Sequence, residues 1–109
     1  MIILDGGIKL SVLLGDGEYK YKVVDNWAKL PENWSFMDVA GVAVNSKDEV
    51  FVFNRGLHPM IIFDIDGNYL RSWGDDLFSR PHGIHIGPDE YIYCTDDGDH
   101  TVKKNYPRR

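Results

Sequence analysis

Two histidines stand three residues apart in Arg80-Pro81-His82-Gly83-Ile84-His85-Ile86-Gly87, at the head of a β-branched run. An imidazole there can ligate a metal or move a proton near neutral pH. Taken alone, a histidine after a proline is as readily a turn residue bonded to backbone, and His85, inside the run, reads as packing with its ring hydrogen-bonded. Cys94 lies mid-strand among aromatics and reads as an inert buried thiol. The acidic turn Asp96-Asp97-Gly98-Asp99 lacks the spacing and closing glutamate of an EF-hand and reads as an Asx-rich turn. No Ser/His/Asp or Cys/His pair has supporting context, and no glycine-rich phosphate loop follows a strand.

These residues sit in a chain of 109 residues, 43% hydrophobic, with a formal net charge of −5. That is the size of one domain with a core. The acidic balance argues against a nucleic-acid footprint, since the only basic cluster, Lys103-Lys104 with Arg108-Arg109, is terminal. A single cysteine excludes an internal disulfide and leans towards a reducing, cytoplasmic setting. The opening MIILDGGIKLSVLLG is interrupted by Asp5, Gly6, Gly7 and Lys9, so neither a signal peptide nor a membrane span is expected.

Short β-branched and aromatic runs bounded by Gly, Asp, Asn and Pro recur, and no window keeps a helical apolar period. The chain therefore reads as all-β. Expected strands are Lys9–Leu14, Tyr19–Asp25, Val39–Asn45, Val50–Asn54, Met60–Asp64, Tyr69–Trp73, Gly83–Gly87, Tyr91–Thr95 and Thr101–Lys104. Turn residues that accept positive φ or bond their own backbone separate them, as at Gly15-Asp16-Gly17 and Asp66-Gly67-Asn68. Ala28–Met37 reads as a loop pinned by aromatics.

The segment Gly41–Met60 aligns with Gly83–Val102 without a gap at an offset of 42 residues. Gly41 falls on Gly83, Gly56 on Gly98 and His58 on His100, with apolar on apolar at Val42/Ile84, Val44/Ile86, Val50/Ile92 and Phe51/Tyr93. A repeat of about 40 residues holding four short strands suits a propeller blade. The first copy supplies four strands and the second three before the chain runs into Asn105-Tyr106-Pro107-Arg108-Arg109. This division gives 1–38 as N-terminal strands and loop, 39–74 as a first blade and 75–109 as an incomplete second one.

The order "glycine, apolar strand, polar turn, aromatic strand, G-x-H, strand, D-x-D-G, strand, W-G" resembles the NHL repeats of β-propellers. Within them, VAGVAVNSKDEVFVFNRGLH followed by LFSRPHGIHI is similar to peptidyl-α-hydroxyglycine α-amidating lyases (peptidylamidoglycolate lyases) and their six-bladed bacterial relatives. The resemblance covers about Tyr21 to Lys104. The resemblance implies a family member about three times longer, of which this sequence matches only the opening third.

The resemblance implies roles for four residues. His82, in the P-H-G motif, would be one of three histidine ligands of a catalytic zinc, and the backbone carbonyls of Val42 and Ile84 would face a structural calcium in the central channel. Arg55 would engage a substrate carboxylate through its planar guanidinium; a solvated loop arginine paired with nearby aspartates is the alternative. Asn54 stands where the lyases carry a histidine before that arginine. His58 and His100 match the signature histidine of the repeat and read as structural. The tyrosine-type base and the other metal ligands of the lyases belong to blades this sequence does not contain, so a single chain is not expected to be an active lyase of that design.

Two blades alone would leave apolar radial faces open, including Trp27, Trp34, Trp73, Phe51, Phe53, Phe63 and Tyr93. The expected remedy is self-association, with Tyr19–Asp25 of one copy completing the second blade of the next. Three copies would make six blades, with a swapped dimer as the alternative. Function then divides between a metal-dependent lyase built in the assembly and a non-catalytic scaffold that binds peptide or protein through loops at one face, or a truncated fragment with no activity of its own.

Overall fold

The computed structural model describes residues 2–5 and 9–107, with side chains from 13 to 107. Arg108 and Arg109 of the terminal basic cluster lie outside the described residues, as do Met1 and residues 6–8. Every regular element described is a β-strand. No helix among the described residues is long and apolar enough to cross a membrane.

Four antiparallel sheets are present. β1 (Ile2–Asp5) pairs with β2 (Lys9–Val12), and β3 (Leu14–Asp16) with β4 (Tyr19–Tyr21), as two separate hairpins. β5 (Val39–Val44), β6 (Val50–Asn54), β7 (Met60–Phe63) and β8 (Tyr69–Trp73) form a four-stranded meander in chain order. β9 (Pro81–Ile86), β10 (Ile92–Asp96) and β11 (Thr101–Asn105) form a three-stranded one. The run expected over Tyr19–Asp25 is thus a shorter strand that pairs within its own hairpin.

The repeat seen in the sequence governs strand pairing. Gly41 pairs with Phe53, Val42 with Val52 and Val44 with Val50; 42 residues later Gly83 pairs with Thr95, Ile84 with Cys94 and Ile86 with Ile92. Phe53–Met60 and Val52–Ile61 likewise become Thr95–Val102 and Cys94–Lys103. Even the irregularity is repeated: Val39 meets Asn54 and Pro81 meets Asp96, which leaves Ala40 in one strand and His82 in the other as the extra residue of a bulge.

Packing follows from alternation along these strands. Phe51, Phe53, Met60 and Ile62 point to one face of the four-stranded sheet and pack on Ile84, Ile86, Ile92 and Cys94 of the other sheet. Val52, Ile61 and Phe63 point to the opposite face, which residues of 27–36 cover with Trp27, Leu30, Trp34 and Phe36. β7 is therefore buried along its whole length, and fully burying each such side chain contributes about 1.5–3 kcal/mol. Gly41 permits the approach of the edge strands, since a Cβ there would stand 3.1 Å from Ile84 Cγ2.

One expectation is overturned by this arrangement. Phe51, Phe53 and Phe63 are fully buried within the chain and do not wait for a partner. Phe51 and Phe53 are covered by the three-stranded sheet and Phe63 by the aromatic loop, in which Trp27 Nε1 donates to the Ile65 carbonyl at 3.1 Å and Trp34 stacks on His58 with ring centroids 3.6 Å apart. Among the described residues, the surfaces left open include the far face of the three-stranded sheet, the outer edge of β11 and the whole β3–β4 hairpin.

Candidate functional site

The bulge explains where His82 points. Pro81 and Gly83 keep their ladder partners, and the inserted residue between them is pushed out of the pairing, so its side chain is 63% exposed. His82 Nδ1 faces Asp97 Oδ2 at 3.5 Å, while Asp97 Oδ1 lies 3.4 Å from Arg80 Nε. Asp97 thus stands between an imidazole and a guanidinium.

Arg55 reaches the same end of the molecule. Its Nε donates to the Pro81 carbonyl at 2.8 Å, one residue from His82, and its backbone N–H donates to the Met37 carbonyl at 2.7 Å. No carboxylate pairs with it among the described residues. The two side chains singled out in FNRG and RPHG, 27 positions apart in sequence, are therefore brought to one rim by the packing of β5 against β9.

Two buried polar residues hold that rim. Asn54 Oδ1 accepts from the N–H groups of Gly56 at 2.8 Å and Met37 at 3.3 Å, and its Nδ2 donates to the His58 and Pro59 carbonyls. Its repeat partner Asp96 accepts from Gly98, Arg80 and Ser79 at 2.9, 2.9 and 2.7 Å. Burial alone would raise the Asp96 carboxyl, but the backbone donors of Arg80, Ser79, Gly98 and Asp99 outweigh it and hold it at about 2. The asparagine that departs from the lyase pattern is thus the neutral counterpart of this cap.

Val42 and Ile84 occupy corresponding places on the two edge strands. The Asn45 N–H bonds the Glu49 carbonyl, and the Gly87 N–H bonds that of Tyr91. Counting back by alternation, Val42 and Ile84 are non-hydrogen-bonded positions, so their carbonyls point away from β6 and β10. Backbone oxygens of this kind suit a hard cation such as calcium. Among the described residues no three His, Cys, Asp or Glu side chains come together. Among the described residues His82 faces Asp97 and belongs to no three-histidine group.

His58 is bonded to Asp75 through Nδ1 at 3.0 Å, besides its stack on Trp34, while His100 occupies a left-handed turn position at φ 59°. His85 does not pack as expected: it is exposed beside Tyr93, on the uncovered face of the three-stranded sheet. A cavity of about 430 Å³ lies at the opposite end of the strands, between the β5–β6 and β9–β10 turns. There Arg71 forks onto Glu49 and Glu90 accepts from the Ser46 N–H, so its polar groups serve the turns.

Sequence reading missed Asp97, treating it as part of an acidic turn. The signal was present, because an offset of 42 sets Asp97 on Arg55 and His82 on Ala40. The bland Ala40 of the first unit thereby marks His82 of the second, while Arg55 and Asp97 set a cation and an anion at corresponding rim positions. No known family model matches the sequence.

Proposed function

We propose that the chain is an NHL-type β-propeller module of two blades, that copies of it associate to complete a ring, and that the rim carrying Arg55 and His82 is its working face. The observation that carries this reading is the strand register, which recurs after 42 residues with its bulge and delivers both residues to one end. The hairpin and the open β11 edge supply the reason to associate, because an unpaired edge and a fully exposed hairpin are surfaces that a neighbour can cover. A trimer is the favoured assembly, with a swapped dimer as the alternative.

In a ring of three, His82 would recur on every second blade and three imidazoles would face a common axis. Such a set suits a zinc with one open position, and the carbonyls of Val42 and Ile84 suit a calcium in the same channel. Lyase chemistry on a peptidyl-α-hydroxyglycine, with Arg55 anchoring the carboxylate, is the activity this arrangement favours. The second reading is a scaffold that binds peptide or protein without catalysis; it is favoured by the solvent exposure of His82 outside any group of three His, Cys, Asp or Glu side chains among the described residues. Light scattering combined with metal analysis tests the proposal. A mass near three chains with zinc that is lost on His82→Ala is the expected result; an assembly without zinc leaves the scaffold, and a monomer at every concentration overturns the ring.

A further inference from the structure

Two surfaces of the chain lack partners and are complementary to each other. The first is the far face of the three-stranded sheet. Its counterpart in the other sheet, Phe51, Phe53, Met60 and Ile62, is buried core, but 42 residues on these positions read Tyr93, Thr95, Val102 and Lys104. The face stays apolar in body while gaining polar tips, and Val102 is 65% exposed. Lys104 Nζ sits 4.3 Å from the Tyr91 ring centroid and 5.7 Å from that of Tyr93. No carboxylate pairs with it among the described residues. A cleft of about 260 Å³ opens beside it, between Tyr91 and Tyr106.

The second surface is one side of the β3–β4 hairpin. Leu14 pairs with Tyr21 and Asp16 with Tyr19, so these four side chains share one face of the ribbon. Tyr19 is 69% exposed and Tyr21 61%. Asp16 bonds only its own turn, through the Gly17 N–H at 2.8 Å, and no cation pairs with it among the described residues. A two-stranded hairpin with no covered face is marginal in water on its own.

We infer that the hairpin of one copy docks on the open face of the three-stranded sheet of another, with Asp16 paired to Lys104 and Tyr19 and Tyr21 against Tyr91 and Tyr93. Charge complementarity selects the occupant. The sheet face presents Lys104, which no carboxylate pairs among the described residues, beside the exposed His85, and the hairpin presents the Asp16 carboxylate opposite Tyr19. The contact is head-to-tail, because donor and acceptor are different patches of the chain. This inference rests on the self-association proposed above, and it sets the hairpin against the sheet face instead of the β11 edge.

Carbodiimide coupling joins a carboxylate to an amine only when the two are in contact, so it reads this pair directly. In an equal mixture of light and isotope-labelled full-length protein, an Asp16–Lys104 amide linking light to heavy peptides is expected. Asp16→Lys and Lys104→Glu are each expected to weaken association by at least about tenfold, and the two together to restore it. Circular dichroism checks that each variant is folded, and the coupling result stands without the variants. Association that persists unchanged in both single variants, with no such cross-link, overturns this contact while leaving self-association intact. A wild-type chain that is monomeric throughout overturns both.

Discussion

At the scale of single residues, the buried caps carry more of the fold than the exposed histidines do. Asp96 is 2% exposed and its carboxylate gathers the N–H groups of two segments, 79–80 and 98–99, that would otherwise be left unbonded. Replacing it with alanine removes the acceptor of several part-buried donors at once, and each donor that water does not reach costs about 1–3 kcal/mol. Asp96→Ala is therefore expected to be strongly destabilised in urea titration, whereas Asp96→Asn, which copies Asn54 of the first unit, loses less. The acid dependence follows from the same geometry. The folded carboxyl lies at about 2, below its ordinary 3.8, so its stabilisation is complete above pH 3.8 and is lost as pH falls through that window towards 2. Asp96→Asn should flatten the stability profile there, and an unchanged profile would show that other carboxylates, Glu49, Asp64 and Asp99 among them, carry the acid transition. Cys94 gives a second check. Burial pushes its thiol up to about 12, so a disulfide reagent at pH 8 should label it only after unfolding.

At the scale of elements, the strands of the two repeated segments were legible because turn chemistry bounds them and their pattern returns after 42 residues, whereas β1 was not expected and the run Lys9–Leu14 is divided between β2 and β3. The pinned loop was legible in kind, from its tryptophans, but not in consequence. Local sequence does not tell which face Trp27 and Trp34 cover, so the first sheet was expected to need a neighbour that the loop in fact replaces. The bulge at His82 was illegible for a similar reason: a pairing irregularity depends on the partner strand, and only comparison with Ala40 exposes it. Arg55 and His82 were each picked out by motif, yet their common rim depends on sheet packing, which spacing does not encode. The loop's attachment can be tested at Gly67, whose φ is 84° and whose added Cβ would stand 1.8 Å from the Trp27 carbonyl oxygen. Gly67→Ala costs about 1–2 kcal/mol for the left-handed backbone alone, before the clash is counted. It is expected to lift Trp27 from Phe63 and shift tryptophan emission to longer wavelength; emission identical to wild type would mean that the loop is held elsewhere.

At the scale of the whole molecule, the question is whether two repeat units behave as two bodies or one. Stacked repeats gain much of their stability from the interface between neighbours, so a unit with an unsatisfied face depends on the next. Here a single cluster joins Phe51, Phe53, Met60 and Ile62 of one sheet to Ile92 and Cys94 of the other. The three-stranded sheet has its remaining face open to water, so nearly all its apolar burial comes from that shared cluster. It has no independent core to fall back on. Unfolding is therefore expected in one transition, with emission of Trp27 and Trp34 reporting the loop side of the first sheet, that of Trp73 the shared cluster, and Cys94 labelling the second sheet, all at the same denaturant midpoint. Phe53→Ala, at the centre of the shared cluster, should cost about 3–5 kcal/mol and move both probes together. If the Cys94 midpoint falls while tryptophan emission holds, the second sheet is a detachable unit. The rim formed by Arg55 from one sheet and His82 from the other would then open before the protein unfolds.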